Sequence, residues 1–364
     1  MCIRDRAVDP PGFVIEAGPP IELLAVAQAG GRNGEEVAIA VRAVDHWGNA
    51  SLLATAPELV PQKGMEVRPL GSTAGGLVFR FGVLWSQPGV HRVQAQVGRT
   101  DLRAVSNPVK TESTPTRPLF WGDLHGGQTE IGCGAGSLED QFIFARDIAS
   151  LQFTSQQAND HYIPLPVWNH VRQISHAFDE PDRFTCYLGC EWSPYTVDGG
   201  DRNVVYRNDE PRLRRSGRFF TEEDPDPEPD LVRAPEFHHA LRNEEVLINM
   251  HAGGRPTNLD YHAPEIEPLA EIHSTHGTSE WFVLDALERG YKIGITGGTD
   301  GVAGRPGADH PGQRLIRNVC SGFTAVYAAE LSRDGLWEAL RACLLYTSDA
   351  AAERSSVDLC GRRI

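Results

Sequence analysis

The sequence predicts two folded parts in tandem: an all-β, immunoglobulin-like sandwich over residues 7–105 and an α/β domain over 119–343. Three observations predict this. Apolar and polar residues alternate with period two through the first hundred positions, short apolar runs alternate with helical periods after about 118, and a Pro/Ser/Thr-rich stretch separates the two regimes. A length of 364 residues suits two domains, since single domains typically run about 100–150 residues.

In "VAIAVRAVD", Val37, Ile39, Val41 and Ala43 alternate with their neighbours, as do Leu77, Phe79, Phe81 and Val83, then Val93, Ala95 and Val97. Half-buried strands have this pattern. Turn chemistry in "GGRNG" (30–34) and "DHWGN" (45–49) separates them with no helical period between, which points to antiparallel pairing and a sandwich. The stretch "SNPVKTESTPTRP" (106–118) is expected to hold no regular element and to act as a linker.

Beyond it, "PLFWGDLH", "LQFT", "FTCYLGCEW", "EVLINMHA", "LAEIHS", "YKIGITGG" and "GFTAVYA" read as strands. Between them lie five helical patterns. "SLEDQFIFARDIAS" has Ser137 as N-cap with Asp140 three residues on, and "PVWNHVRQISHAF" puts Val167, Val171, Ile174 and Phe178 on one face. "APEFHHALRN", "TSEWFVLDALERG" and "SRDGLWEALRA" follow. Such alternation predicts a parallel sheet, closed into a barrel or open.

Composition narrows the functions. Apolar residues make up 40% and charged residues 23%, ordinary for a globular chain, and no apolar run nears the roughly 18 residues a membrane span needs. Lys and Arg number 34 against 49 Asp and Glu, a net charge of −15 that speaks against nucleic acid or an anionic membrane as partner. Part of this charge sits in "TEEDPDPEPD" (221–230), read as a solvated loop. None of the seven cysteines forms a CxxC pair, and Cys186 and Cys190, four apart in one strand, are expected as buried free thiols. Residues 1–6 ("MCIRDR") and 344–364 resemble translated sequencing-adapter read-through and are expected to be non-native tails. The sequence therefore assigns no compartment.

The predicted strand ends share a property. Asp123 and His125 close the first, Glu191 the third, His251 follows "VLINM", His273 ends "LAEIH" and Asp300 follows "IGITGGT". All six are metal-ligand types, and the C-terminal strand ends of parallel α/β sheets meet on one face. Mixed histidine and carboxylate ligation suits Zn, Mn or Fe. Glycines at 126, 127, 253, 254, 297 and 298 flank three of these residues and permit close approach.

Arg202, Arg255 and Arg305, each in a glycine-containing stretch, are candidates to meet an anionic substrate group. With no G-x-S-x-G elbow and no cysteine in a nucleophile motif, metal-activated water is the expected nucleophile. "GCGAGS" (132–137) lacks dinucleotide-binding spacing and reads as a loop. The other histidines, among them His161, His176, His238, His239, His262, His276 and His310, read as surface or packing residues.

In chain order, "WGDLHGG", "GCEWSPYTVDGGDRNV", "INMHAGGR", "EIHSTHGTSEW" and "GGTDGVAGRPG" resemble the motifs of an uncharacterised bacterial family related to the polymerase and histidinol phosphatase (PHP) domain, over roughly 119–343. The resemblance implies a distorted TIM-like barrel that holds up to three metal ions and hydrolyses phosphoesters. It implies Asp123, His125, Glu191, His251, His273 and Asp300 as ligands, Asn159 and Asp160 ("QQAND") as a further site motif, and Arg202 and Arg305 as substrate contacts. The chain departs from the pattern at Gly127, Gln156 and Val302, where histidine is expected, which weakens one metal position. The family pattern also continues past the last helix, implying a barrel truncated at its C-terminal end.

The expected function is thus a metal-dependent hydrolase of a small anionic substrate, a phosphoester. Two alternatives stand beside it. One is an amidohydrolase-like metalloenzyme acting on a C–N or C–O bond; the other is a degenerate barrel plus sandwich that binds a sugar or peptide without turnover.

Overall fold

The computed structural model describes residues 16–114, 117–221, 224–307 and 322–346, and the chain divides into two compact units, 1–116 and 117–364. Glu222 and Glu223 of the acidic loop, His310, Cys320, and the tails at 1–6 and 347–364 lie outside the described residues. No helix among the described residues is long and apolar enough to cross a membrane.

The first unit is built from β1 (Glu22–Ala27), β2 (Gly30–Arg32), β3 (Val37–Val44), β4 (Ala50–Ser51), β5 (Glu58–Leu59), β6 (Met65–Thr73), β7 (Val78–Trp85), β8 (Gly89–His91), β9 (Gln94–Gln96), β10 (Arg103–Val105) and β11 (Val109–Glu112). An antiparallel sheet runs β1-β3-β7-β6, with β4 on β3; two smaller sheets run β10-β9-β5 and β2-β11-β8. Val37, Ile39, Val41 and Ala43 of β3 share one core with Leu23, Phe81, Val83 and Trp85, completed by Ala95 and Val109 from the smaller sheets. Burial of each such large side chain contributes about 1.5–3 kcal/mol.

The linker expectation fails at β11. Between Pro108 and Pro115, Val109 and Thr111 are buried in alternation, and β11 pairs parallel with β2 and antiparallel with β8. Proline is compatible with a strand when it sits at the boundary rather than inside.

The second unit contains β12 (Leu119–Asp123), α1 (Leu138–Ile143), β13 (Phe153–Ser155), α2 (Leu165–Phe178), β14 (Thr185–Trp192), β15 (Arg202–Tyr206), α3 (Ala234–Leu241), β16 (Val246–Met250), β17 (Leu269–Ser274), β18 (Gly277–Thr278), α4 (Glu280–Glu288), β19 (Gly294–Gly297), β20 (Thr324–Tyr327), α5 (Arg333–Arg341) and β21 (Leu345–Tyr346). α1 starts where the N-cap pattern places it, with Ser137 Oγ accepting from Asp140 N at 3.1 Å. β14 is buried along its whole length: Cys186, Leu188, Cys190 and Trp192 pack with Phe142, Trp168 and Phe237 of the helices, while Tyr187 joins Phe120, Val326 and Trp337. Both cysteines are free thiols.

The distorted TIM-like barrel expected from the sequence does not form. The sheet is mixed, in the order β18-β17-β16-β15-β14-β13-β12-β20-β21 with β19 beside β17. β15 runs antiparallel between β14 and β16, and β20 antiparallel against β12. Among the described residues no ladder joins β19 to β20. The sheet curls until Thr324 Oγ1 accepts from Gly297 N and donates to Gly297 O, and closure stops there.

β15 supplies the physical reason. It follows β14 after the loop 193–201 with no helix between, and a strand joined to its neighbour without a crossover returns antiparallel. Its five residues are all buried, so "RNVVY" shows no alternation to reveal it. Two reversals cancel across β15, so β12, β13, β14, β16, β17 and β19 all run the same way. Their C-terminal ends therefore gather at one edge.

Candidate metal centre

At that edge His125, Glu191 and His251, all buried, bring ligand atoms within 4.8 Å of one another. His251 Nε2 lies 2.9 Å from Glu191 Oε1, and the two imidazoles meet edge to face with centroids 4.9 Å apart. His125 Nε2 makes no hydrogen bond; Asp300 Oδ1 stands 3.4 Å from it. Ligand atoms about 2.05 Å from a tetrahedral ion are about 3.3 Å apart, so the spacing suits a shared cation.

Each of these side chains is held from behind. Glu271 Oε1 lies 3.1 Å from His125 Nδ1, and Asn249 Nδ2, whose amide oxygen accepts from Thr296 Oγ1 at 2.7 Å, donates to Glu271 Oε2 at 3.2 Å. A carboxylate behind an imidazole fixes the tautomer and orientation that a metal-ligating histidine needs. Asn159 Nδ2 donates to Glu191 Oε2 and to Ser193 Oγ, while Asn159 Oδ1 accepts from Gln128 Nε2 at 2.9 Å. Gly253 N donates to His251 Nδ1 at 3.0 Å, which holds the ring with Nε2 facing Glu191 Oε1.

The glycines at this edge are required by space. Gly127 has φ 87°, and a Cβ there would lie 2.2 Å from Gly301 O. No histidine fits in that backbone. At Gly298 a Cβ would come within 2.6 Å of His125 Cβ.

Five carboxylates, Asp123, Glu191, Asp201, Glu271 and Asp300, are buried here with the two histidines. Burial pushes Asp123 up to about 7 despite hydrogen bonds from Thr299 and His125 N. Burial also raises Asp201, reinforced by the charge of Glu191. For His125 burial opposes protonation, but Asp300 and Glu271 outweigh it and hold its pKa at about 10. Uncompensated buried negative charge is costly. A divalent cation would neutralise it and complete the coordination of His125 Nε2, so the residues fit such an ion.

Of the six expected ligands, His125, Glu191 and His251 form the cluster and Asp300 borders it. Asp123 is turned to Thr299 and the His125 backbone. His273 stands apart from the triplet, with Nδ1 2.8 Å from Thr278 Oγ1. Asn159 braces Glu191, whereas the Asp160 carboxylate accepts from Ser193 N at 2.9 Å and from Ser216 N and Oγ. Arg202 departs from its expected place at the substrate: fully buried, it donates from Nε to Glu267 Oε1 at 2.6 Å and lies against the Trp192 ring. Arg305 is exposed on the loop after Asp300. Gln156 is buried with neither amide atom hydrogen-bonded, and Val302 contributes its carbonyl to Ala135 N.

Sequence reasoning missed Glu271, Asn249 and Asp201. It also placed His238, His262 and His276 among surface or packing residues, whereas His238 and His262 both reach Glu267, and His276 Nε2 lies 3.2 Å from Asp300 Oδ2. No local signal marked Glu271: a bulge falls between it and His273, so the two-residue spacing in "EIH" does not bring them to one place.

No protein-family profile matches the chain. An uncharacterized protein of Chlamydia trachomatis serovar D is 25% identical over 291 residues, covering 73% of this chain and 45% of that protein. One from Chlamydia muridarum is 24% identical over 291 residues, with the same coverage of 73% and 45%. The chain thus spans less than half the length of these relatives. Among solved structures, the S-layer protein rSbsC(31-844) overlaps 30% of this chain and 15% of its own at 14% identity and a TM-score of 0.22. The Escherichia coli adhesin FdeC overlaps 32% of this chain and 40% of its own at 15% identity and a TM-score of 0.21. Overlaps at such scores carry no inference about this chain.

Proposed function

We propose that the second unit is a metal-dependent hydrolase of a phosphoester, with His125, Glu191 and His251 holding a divalent ion, Zn, Mn or Fe, bordered by Asp300. The observation that carries this reading is the buried triplet, with His125 Nε2 left without a hydrogen bond while Glu271 takes the opposite ring nitrogen. When bound, such an ion activates water and withdraws charge from phosphoryl oxygens. The chain's residues supply the positioning: Glu271 orients His125, Asn159 orients Glu191, and the glycines at 127, 253 and 298 allow close approach. The motif resemblance to the PHP domain supports a phosphoester over a C–N or C–O bond. One feature favours binding without turnover, the unpartnered buried amide of Gln156 where a histidine ligand is expected.

The test is elemental analysis of the full chain purified without chelator, followed by a panel of phosphomonoesters, phosphodiesters, amides and lactones. Stoichiometric metal and phosphoester turnover are expected, both lost in His251→Ala. A folded, metal-loaded protein that turns over no phosphoester would overturn the reading.

A further inference from the structure

We infer that Arg255 is the anion-recognition residue of this site, a pre-set guanidinium fork for two oxygens of the substrate's phosphoryl group. The inference rests on the hydrolase reading and names what grips the substrate. Asp201 holds Arg255 at three points: Asp201 N donates to Arg255 O at 2.8 Å, Arg255 N donates to Asp201 Oδ2 at 2.8 Å, and Arg255 Nε donates to Asp201 Oδ1 at 2.6 Å.

The same loop is tied to the metal cluster. Thr257 N donates to His251 O at 3.0 Å, His251 N donates to Thr257 Oγ1 at 3.2 Å, and Thr257 Oγ1 donates to Asp201 O. Asp201 Oδ2 is itself 4.0 Å from His251 Nε2. Between them Gly253 is packed so closely that a Cβ would come within 2.6 Å of His276 Cδ2. The loop therefore has little freedom to place Arg255 elsewhere.

Despite this anchoring the Arg255 side chain is 34% exposed, against 2% for Asp201. Nε is engaged, and no hydrogen bond among the described residues takes Nη1 or Nη2. Other arginines of this unit are consumed internally, Arg202 by Glu267 and Arg215 by Asp224 and Asp226. A guanidinium fixed along one edge presents the other already oriented, which lowers the entropy lost on gripping a phosphoryl group with two parallel hydrogen bonds.

The experiment titrates inorganic phosphate into the metal-loaded full chain by calorimetry, for the natural protein, Arg255→Met and Arg255→Lys. Metal content is expected to be equal in all three, with phosphate affinity about ten- to hundredfold weaker in Arg255→Met and partly restored in Arg255→Lys. Unchanged phosphate affinity in a metal-loaded Arg255→Met overturns the inference and leaves the metal centre standing, as does a natural protein that holds metal and binds no phosphate. A natural protein without metal overturns the hydrolase reading and this inference with it. Should Arg255→Met fail to fold, Arg255→Lys decides alone: it keeps the charge and loses the fork, and affinity equal to the natural protein's overturns the inference.

Discussion

Replacing Glu271 by glutamine asks whether His125 is set for ligation. The carboxylate makes two buried contacts, one oxygen to His125 Nδ1 at 3.1 Å and the other from Asn249 Nδ2 at 3.2 Å. Glutamine keeps one acceptor and must turn an NH2 group toward one of the two. Facing Asn249, it sets donor against donor at a cost of about 1–3 kcal/mol to the fold. Facing His125, it drives the ring proton onto Nε2, the atom that the metal requires. In both orientations the charge that makes the imidazole a strong ligand is gone. Loss of such an outer partner costs about 10–100-fold in metal affinity, or about 1.4–2.7 kcal/mol. Competition against a chromogenic chelator reads the affinity, and thermal melting of the metal-free variant reads the fold. A folded Glu271→Gln that holds metal as tightly as the natural protein would refute the assignment of His125 as a ligand.

Three further outcomes are expected. His251→Ala loses the metal that His273→Ala retains, because His273 stands outside the triplet; elemental analysis of the two variants that gave the reverse order would contradict the geometry. Metal affinity rises about tenfold per pH unit between pH 6 and 8, because His125, with its pKa raised to about 10, is protonated in the metal-free protein and must release that proton to ligate. Calorimetry in buffers of different ionisation enthalpy measures the release, and a flat pH profile counts against it. Gly127→Ala lowers stability by about 3 kcal/mol or more, through positive φ and the contact with Gly301 O, and drops the melting midpoint by about 6–12 °C. A midpoint within a degree of the natural protein's would disprove that packing.

What the sequence made legible depended on periodicity and on strand ends. β3 could be read because Val37, Ile39, Val41 and Ala43 alternate with less buried neighbours, and Ser137 marked the start of α1. β15 could not, because burial on both faces erases the alternation, and with it went the evidence that the sheet is mixed. Three of the expected residues, His125, Glu191 and His251, gather in spite of this error. They sit at the ends of strands that share a direction whether or not one antiparallel strand intervenes. The supporting residues were harder to see: Glu271 and Asn249 lie inside β17 and β16, where a polar residue becomes informative only when its cross-strand partner is known. Arg202 misled for a similar reason, since nothing local announces Glu267 sixty-five positions away.

The start of β15 carries one more consequence. Asp201 and Arg202 are successive residues with opposite charges and different destinations, Asp201 binding Arg255 and Arg202 binding Glu267 together with His238 and His262 nearby. A slip of this strand by one residue would carry a carboxylate toward Glu267 and a guanidinium toward Arg255. Both misplacements set like charges against each other, so the adjacent pair disfavours that register.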